Sequence, residues 1–219
     1  MCGICGEIRF DDTHVDLSKM RSMIDSISKR GPDHGDEYQL DNIYLGHRRL
    51  SIIDVSSKSH QPMIDQKTGN IIVFNGVIYN FKELRKLLIK KGYKFSSDGD
   101  TEVILKSYDY YGQECVNFFD GVFSFCILDS EKKELFLARD RLGIKPLYYK
   151  INKKYFSFSS NTKALIDKDD DEINYKGLHY QFTLHSVIPA PNTIFKSIYK
   201  LEPGHSMTIS SLGQLSKKP

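Results

Sequence analysis

Gly121-Val122-Phe123-Ser124-Phe125-Cys126-Ile127-Leu128 is apolar at nearly every position. A strand with one face in water alternates apolar and polar residues; a strand buried on both faces does not. Residues 121–128 are therefore expected to form a central strand covered on both sides. Residues 134–139 follow across a turn at 129–133 and make its hairpin partner. Working outward, 2–10 reads as a strand, and 38–40 with 43–46 as a hairpin about Asp41-Asn42. Residues 71–74 read as a short strand running into Asn75-Gly76, a strong turn pair. Further short strands are expected at 147–149, 155–158, 193–195 and 206–209.

Helices fall between these strands. Leu17, Met20, Ile24 and Ile27 keep helical spacing, and Gly31-Pro32 stops that helix. Residues 81–91 form a second, with Asn80 to cap it and Gly92 to end it. Residues 102–111 form a third, with Asp100 near its start. Short helices are expected at 162–166 and 175–182. Strands early and late, joined mostly as hairpins with helices between, predict an α+β fold with mainly antiparallel sheets. Sheets buried on both faces predict four layers, an αββα sandwich with helices outside and two sheets face to face. The domain is expected to span 1–209. The polar segment 210–219 reads as the start of a linker.

The 219 residues carry a net charge of only +3, with scattered lysines, which argues against a nucleic-acid surface. The short basic run at 150–154 reads as a solvated turn. No run of about 18 apolar residues is present, so no membrane span is expected. The N-terminus lacks a basic segment followed by an apolar one, so it does not read as a signal peptide. Four cysteines, Cys2, Cys5, Cys115 and Cys126, are accordingly expected as reduced thiols in a cytoplasmic protein. Cys2 and Cys5 have CxxC spacing, but no second ligand pair accompanies them, and no metal site is expected. Cys5 reads as a packing residue.

The chain opens Met1-Cys2-Gly3-Ile4. Removal of Met1 would leave Cys2 with a free α-amino group beside its thiol. That amine has a pKa of roughly 7.7–8 and can accept a proton near neutrality. The thiol, with a pKa of about 8.5, is strongly nucleophilic once deprotonated. A nucleophile paired with an N-terminal amine is a route to covalent catalysis. Five other stretches are unusually polar or glycine-rich for their surroundings: 30–33 (RGPD), 47–54 (HRRLSIID), 75–80 (NGVIYN), 98–102 (DGDTE) and 139–146 (RDRLGIKP). Each also has a plain structural reading. The first is a helix stop, the second surface charge at a strand end, the third a hairpin turn. Asp100 would be an N-cap, and 139–146 an ion-paired loop.

Taken together and in order, these pieces resemble the N-terminal glutaminase domain of class II glutamine amidotransferases, among the N-terminal-nucleophile hydrolases, and especially that of glutamine-dependent asparagine synthetases. The resemblance covers essentially the whole chain. It implies that Cys2 attacks the side-chain amide of L-glutamine while its own amine shuttles the proton. The products would be a γ-glutamyl thioester and ammonia, then glutamate. It implies an oxyanion hole made by the Asn75 side chain and the Gly76 N–H. Glycine at 76 is expected because a Cβ would obstruct the approach. Arg49 matches the residue that pairs with the substrate carboxylate, bidentately. Asp100 matches the residue that pairs with its ammonium. Backbone groups of Leu50, Ser51, Ile52 and Ile53 would line the same pocket, with Val77 beside them.

Three departures stand out. Val77 replaces a glutamate that assists ammonium binding in the family, so weaker glutamine binding is expected. Asn161 replaces a glutamate in the 158–165 segment that faces the partner domain in relatives. The SGGxDS phosphate loop of the synthetase domain is absent. The expected partner is thus an ATP-dependent synthetase domain, C-terminal or separate, that receives ammonia and amidates aspartate. ATP and magnesium belong to it, and no cofactor is expected here. A homodimer is left open. Two other readings stand beside this one: an amidotransferase domain serving another acceptor, such as a sugar or another carboxylate, and a degenerate, non-catalytic glutamine-binding domain.

Overall fold

The structure, a computed structural model, describes residues 1–11, 13–167 and 171–219. Among them, twelve strands form two six-stranded antiparallel sheets. The first contains β1 (Gly3–Arg9), β2 (His34–Leu40), β3 (Ile43–Arg49), β8 (Tyr148–Ile151), β9 (Tyr155–Ser159) and β10 (Ile198–Lys200), in the order β10-β8-β9-β1-β3-β2. The second contains β4 (Met63–Ile64), β5 (Ile71–Ile78), β6 (Gly121–Asp129), β7 (Glu134–Arg139), β11 (Ser206–Ser210) and β12 (Leu215–Lys218), in the order β12-β11-β7-β6-β5-β4. Helices α1 (Leu17–Ser26), α2 (Phe81–Lys90), α3 (Asp100–Tyr111) and α4 (Tyr175–Thr183) complete the α+β fold.

Three separate apolar clusters fill the spaces between layers. Ile4, Ile8 and Leu45 of the first sheet meet Val73, Cys126, Leu128 and Leu137 of the second between the sheets. Phe74, Ile78, Phe123, Phe125 and Ile127 face the other way, against Leu84, Leu88, Val103 and Ile104 of α2 and α3. Cys5 and Tyr44 leave the first sheet outward toward Met20, Met23 and Ile24 of α1. Side chains of β6 thus go alternately to two different cores, which is why the 121–128 run shows no polar alternation. Each core costs dearly to hollow: truncating a fully buried ring such as Phe125 to alanine typically costs about 3–5 kcal/mol.

Several expected elements shift. Asn75-Gly76 is not a turn. Strand β5 runs straight through it, with Asn75 opposite Ser124 and Gly76 opposite Phe123 of β6. The long pairing with β6 outweighs the local turn preference. Residues 193–195 form no strand; Phe195 makes one isolated bridge to Ile173, and the edge strand falls at β10. The helix expected at 162–166 is a three-residue 3₁₀ turn, Thr162–Ala164. Asn80 precedes α2 without capping it. Its amide donates to the Phe118 carbonyl and its oxygen accepts the Asp120 N–H. The polar segment 210–219, expected as the start of a linker, contains β12, which pairs with β11 from Ser206↔Lys218 to Ile209↔Leu215. The β2–β3 hairpin does turn at Asp41-Asn42, with Asp41 at φ 47°. No helix among the described residues is long and apolar enough to cross a membrane.

Candidate active site

Cys2 immediately precedes β1 at one end of the first sheet. Its Sγ accepts the Leu50 N–H at 3.4 Å and lies 3.7 Å from the Leu50 carbonyl. Arg30 Nε donates to the Cys2 carbonyl at 3.1 Å, so the chain before β1 is held from both sides. Burial pushes the thiol above its usual range; the Leu50 N–H, the N-terminal charge and Arg49 pull it back. Cys2 opens into a cavity of about 240 Å³, lined also by Met1, Arg49, Leu50, Ile52, Ile53, Asn75, Gly76, Val77 and Asp100. Residues expected from four separate stretches of sequence therefore meet in one place. Ser51 is not among the cavity-lining residues; its N–H donates to Asp33 Oδ2 at 2.8 Å.

Strand β5 supplies the wall opposite Cys2. Strand alternation sends the Asn75 side chain to the same face as Val73, toward the first sheet. Asn75 is 1% exposed, yet neither atom of its side-chain amide has a hydrogen-bond partner among the described residues. A buried amide left unpaired is costly, and it marks a place where a ligand would complete the bonding. Gly76 has no room for a side chain. A Cβ there would lie 2.3 Å from the Val122 carbonyl oxygen and 2.7 Å from Phe123 Cα. The obstruction is thus the backbone of β6 rather than the approach of a substrate.

The far end of the cavity is acidic. Asp100 is the first residue of α3, where the helix dipole favours a negative charge. Its Oδ2 accepts the Ile78 N–H at 2.9 Å. Burial raises its pKa, and the backbone N–H groups of Ile78, Asp100 and Thr101 oppose the rise. Arg49 is the cationic counterpart, buried to 5% exposure. Its guanidinium donates to the carbonyls of Ser56, at 2.8 Å, and Asp54. It therefore wraps the 50–56 loop about itself as well as lining the cavity. The Asp54 carboxylate accepts from Ser56 N–H, Ser59 Oγ and Asp98 N–H, which ties this loop to the segment before α3. Those bonds hold it well below the usual carboxylate range.

The 139–146 stretch frames another side. It forms no ion pair among the described residues; the side chains of Arg139, Asp140 and Arg141 bind backbone instead. Asp140 accepts N–H groups from Phe123, Leu142, Ile144 and Lys145. Arg139 donates to the carbonyls of Gly143, Lys145 and Leu201. This arrangement places Lys145 on the cavity wall. Lys145, Gln61, Phe74 and Thr101 also line the cavity and were not anticipated. Beneath it, fully buried His47 approaches the Phe74 carbonyl with Nε2 at 3.2 Å. Burial lowers the His47 pKa to about 3, so the ring is neutral near pH 7.

The family described as "Glutamine amidotransferase domain" matches residues 1–218. The chain belongs to the glutamine amidotransferase domain family. The domain is 36% identical over 218 residues to asparagine synthetase [glutamine-hydrolyzing] 3 of Bacillus subtilis, covering 97% of this chain and 35% of that protein. It is 40% identical over 226 residues to a putative asparagine synthetase [glutamine-hydrolyzing] 2 of Methanocaldococcus jannaschii, covering 92% of this chain and 42% of that one. This amidotransferase chain thus spans well under half the length of the curated relatives it matches. Its fold matches that of a glutamine phosphoribosylpyrophosphate amidotransferase from B. subtilis with a TM-score of 0.70, at 16% identity, over 99% of this chain and 49% of that one. That likeness shows a shared layered α+β fold, and membership of the amidotransferase family makes the chain an enzyme domain.

Proposed function

We propose that this domain hydrolyses L-glutamine to glutamate and ammonia through a thioester on Cys2, and supplies the ammonia to an ATP-dependent synthetase that forms asparagine. The observation that carries the reading is the buried, unpaired Asn75 amide sharing one small cavity with the Cys2 thiol, between Arg49 and Asp100. Once Met1 is removed, the Cys2 amine takes the thiol proton, and sulfur attacks the substrate's side-chain carbonyl carbon. The carbonyl oxygen becomes an oxyanion, which the Asn75 amide and the Gly76 N–H stabilise. Collapse of that intermediate expels ammonia, which leaves with a proton returned by the amine. Water then attacks the thioester, and glutamate departs with the thiol restored. The net change is glutamine plus water to glutamate plus ammonia.

Free glutamine carries a carboxylate and an ammonium at its other end. Arg49 and Asp100 would select that pair of charges and reject a glutamine inside a peptide, which lacks both. The synthetase acceptor, with its ATP and magnesium, lies on the partner. The assignment of asparagine as the product rests on the names of the relatives. The test is intact mass and peptide mapping after incubation with a diazoketone analogue of glutamine, diazo-oxo-norleucine, alongside ammonia release. One adduct on Cys2 of Met1-free protein is the expected result. Met1-free protein that hydrolyses nothing and takes no adduct would overturn the reading in favour of a degenerate, binding-only domain.

A further inference from the structure

We infer that Gln61 is a positioning residue for the hydrolysis proposed above, and the inference rests on that reading. Strand β4 covers the edge of β5 only as far as Ile72, through the pairs Met63↔Ile72 and Ile64↔Ile71. Beyond that point the edge of β5 that faces away from β6 has no strand beside it among the described residues. In an antiparallel pair, alternate residues turn their N–H groups to the same side. Phe74, Gly76 and Ile78 therefore present their N–H groups along this open edge. The Phe74 N–H donates to Gln61 Oε1 at 2.6 Å, and the Ile78 N–H to Asp100 Oδ2 at 2.9 Å. The Gly76 N–H lies between these two anchors, with its edge facing the cavity.

The other end of Gln61 reaches across to α3: its Nε2 donates to Thr101 Oγ1 at 3.2 Å. One buried side chain thus stands in for the missing strand and ties β5 to the helix turn that carries Asp100. Each polar end of Gln61 has a partner within the protein, so its reach runs to the two elements that carry the site. It sets the separation between the oxyanion donors on β5 and the carboxylate on α3. Misplacing a catalytic group by about 1 Å can cost on the order of a hundredfold in rate.

The test uses the full chain, Met1-free, with steady-state glutamine kinetics and diazo-oxo-norleucine labelling of Cys2. Gln61→Met keeps length and burial but loses both bonds; it is expected to lower kcat by about tenfold to a hundredfold while Cys2 is still alkylated. Gln61→Glu retains an acceptor for Phe74, and Thr101 can donate to it in turn; it is expected to recover part of the kcat lost in Gln61→Met. Thr101→Val, which breaks one leg of the same bridge, is expected to lower kcat by less than Gln61→Met, and to add nothing to Gln61→Met in the double variant, because the bridge is already broken. Parent-like kcat and KM in Gln61→Met with only a lowered Tm would overturn the inference. So would a folded Gln61→Glu variant no more active than Gln61→Met, or multiplied losses in the double variant. If Gln61→Met fails to fold, Thr101→Val decides it. A parent that neither labels nor hydrolyses removes the glutaminase reading itself, and this inference with it.

Discussion

Asp100 and Ile78 are joined directly, the Asp100 carboxylate accepting the Ile78 N–H at 2.9 Å. Ile78 ends the strand that carries Asn75 and Gly76. The group suited to an ammonium and the groups suited to an oxyanion are therefore fixed to one backbone, and a small ligand that satisfies both must have one length.

The raised pKa of Asp100 has a consequence for pH dependence. A carboxyl with a raised pKa loses its negative charge at a higher pH on acidification than an ordinary one. We predict that kcat/KM for glutamine falls on the acid side at a pH above the usual aspartate range. Asp100→Asn should remove that limb and raise KM roughly tenfold to a hundredfold, the size of a lost charge-assisted bond. An unchanged acid limb in Asp100→Asn would exclude this residue as its source.

Two cysteines three residues apart should behave oppositely. Cys2→Ala is expected to abolish ammonia release. Cys5→Ala should spare it, because Cys5 is fully buried against Tyr44 and α1, away from the cavity. Its cost should appear in stability instead, at about 1 kcal/mol by chemical denaturation. A dead Cys5→Ala with a live Cys2→Ala would reassign the nucleophile.

Arg49→Ala is expected to raise the glutamine KM by more than tenfold, since a charged carboxylate contact is typically worth about 1.5–3 kcal/mol. The same change frees the 50–56 loop, whose carbonyls at Asp54 and Ser56 the guanidinium holds. Arg49→Lys should not restore KM, because one ammonium cannot span those carbonyls and a carboxylate together. Hydrogen exchange should show faster amides at 50–56 in both variants. An unchanged KM would take Arg49 out of substrate binding and leave it a loop anchor.

His47 predicts an acid sensitivity of the fold. An unfolded histidine takes a proton near 6.5, whereas the buried ring resists until about 3. Between those values the unfolded chain binds more protons, so stability falls as pH drops through the window. Urea unfolding of the parent should show this slope, and His47→Gln should flatten it. Parallel pH dependence in parent and variant would show that the slope arises elsewhere.

Gly76→Ala, at the one glycine of this strand, should be strongly damaging. Its Cβ would collide with β6 backbone that cannot move without breaking the ladder. Loss of soluble expression or a Tm drop of many degrees is expected, with activity lost in whatever folds. A stable, inactive Gly76→Ala would instead mean that β6 yields and that the damage is confined to the oxyanion site.

The layers were legible because 121–128 is apolar on both faces, a pattern with few structural solutions. The placement of Cys2, Arg49, Asn75, Gly76 and Asp100 in one cavity was legible through family motifs, not through spacing, which offered a turn at Asn75-Gly76. That turn lost to the eight-residue pairing of β5 with β6, a contact between segments far apart in sequence. Gln61 was illegible for the same reason. A two-residue strand such as β4 has no periodicity to read, and a side chain that replaces a strand announces itself only when the edge it covers is known. His47 looked like part of a charged surface run, but its strand turns it into the interior.

The last strand carries a practical lesson about purity of the folded state. Without residues 215–218, β11 would become the bare rim of the second sheet, a template on which another molecule's strand could grow. As built, that rim is occupied by an exposed strand whose Lys217 is tied back to Glu202 at 2.6 Å. A segment whose composition read as the start of a linker is thereby the cover of that rim, and trimming the domain at Ile209 would uncover it.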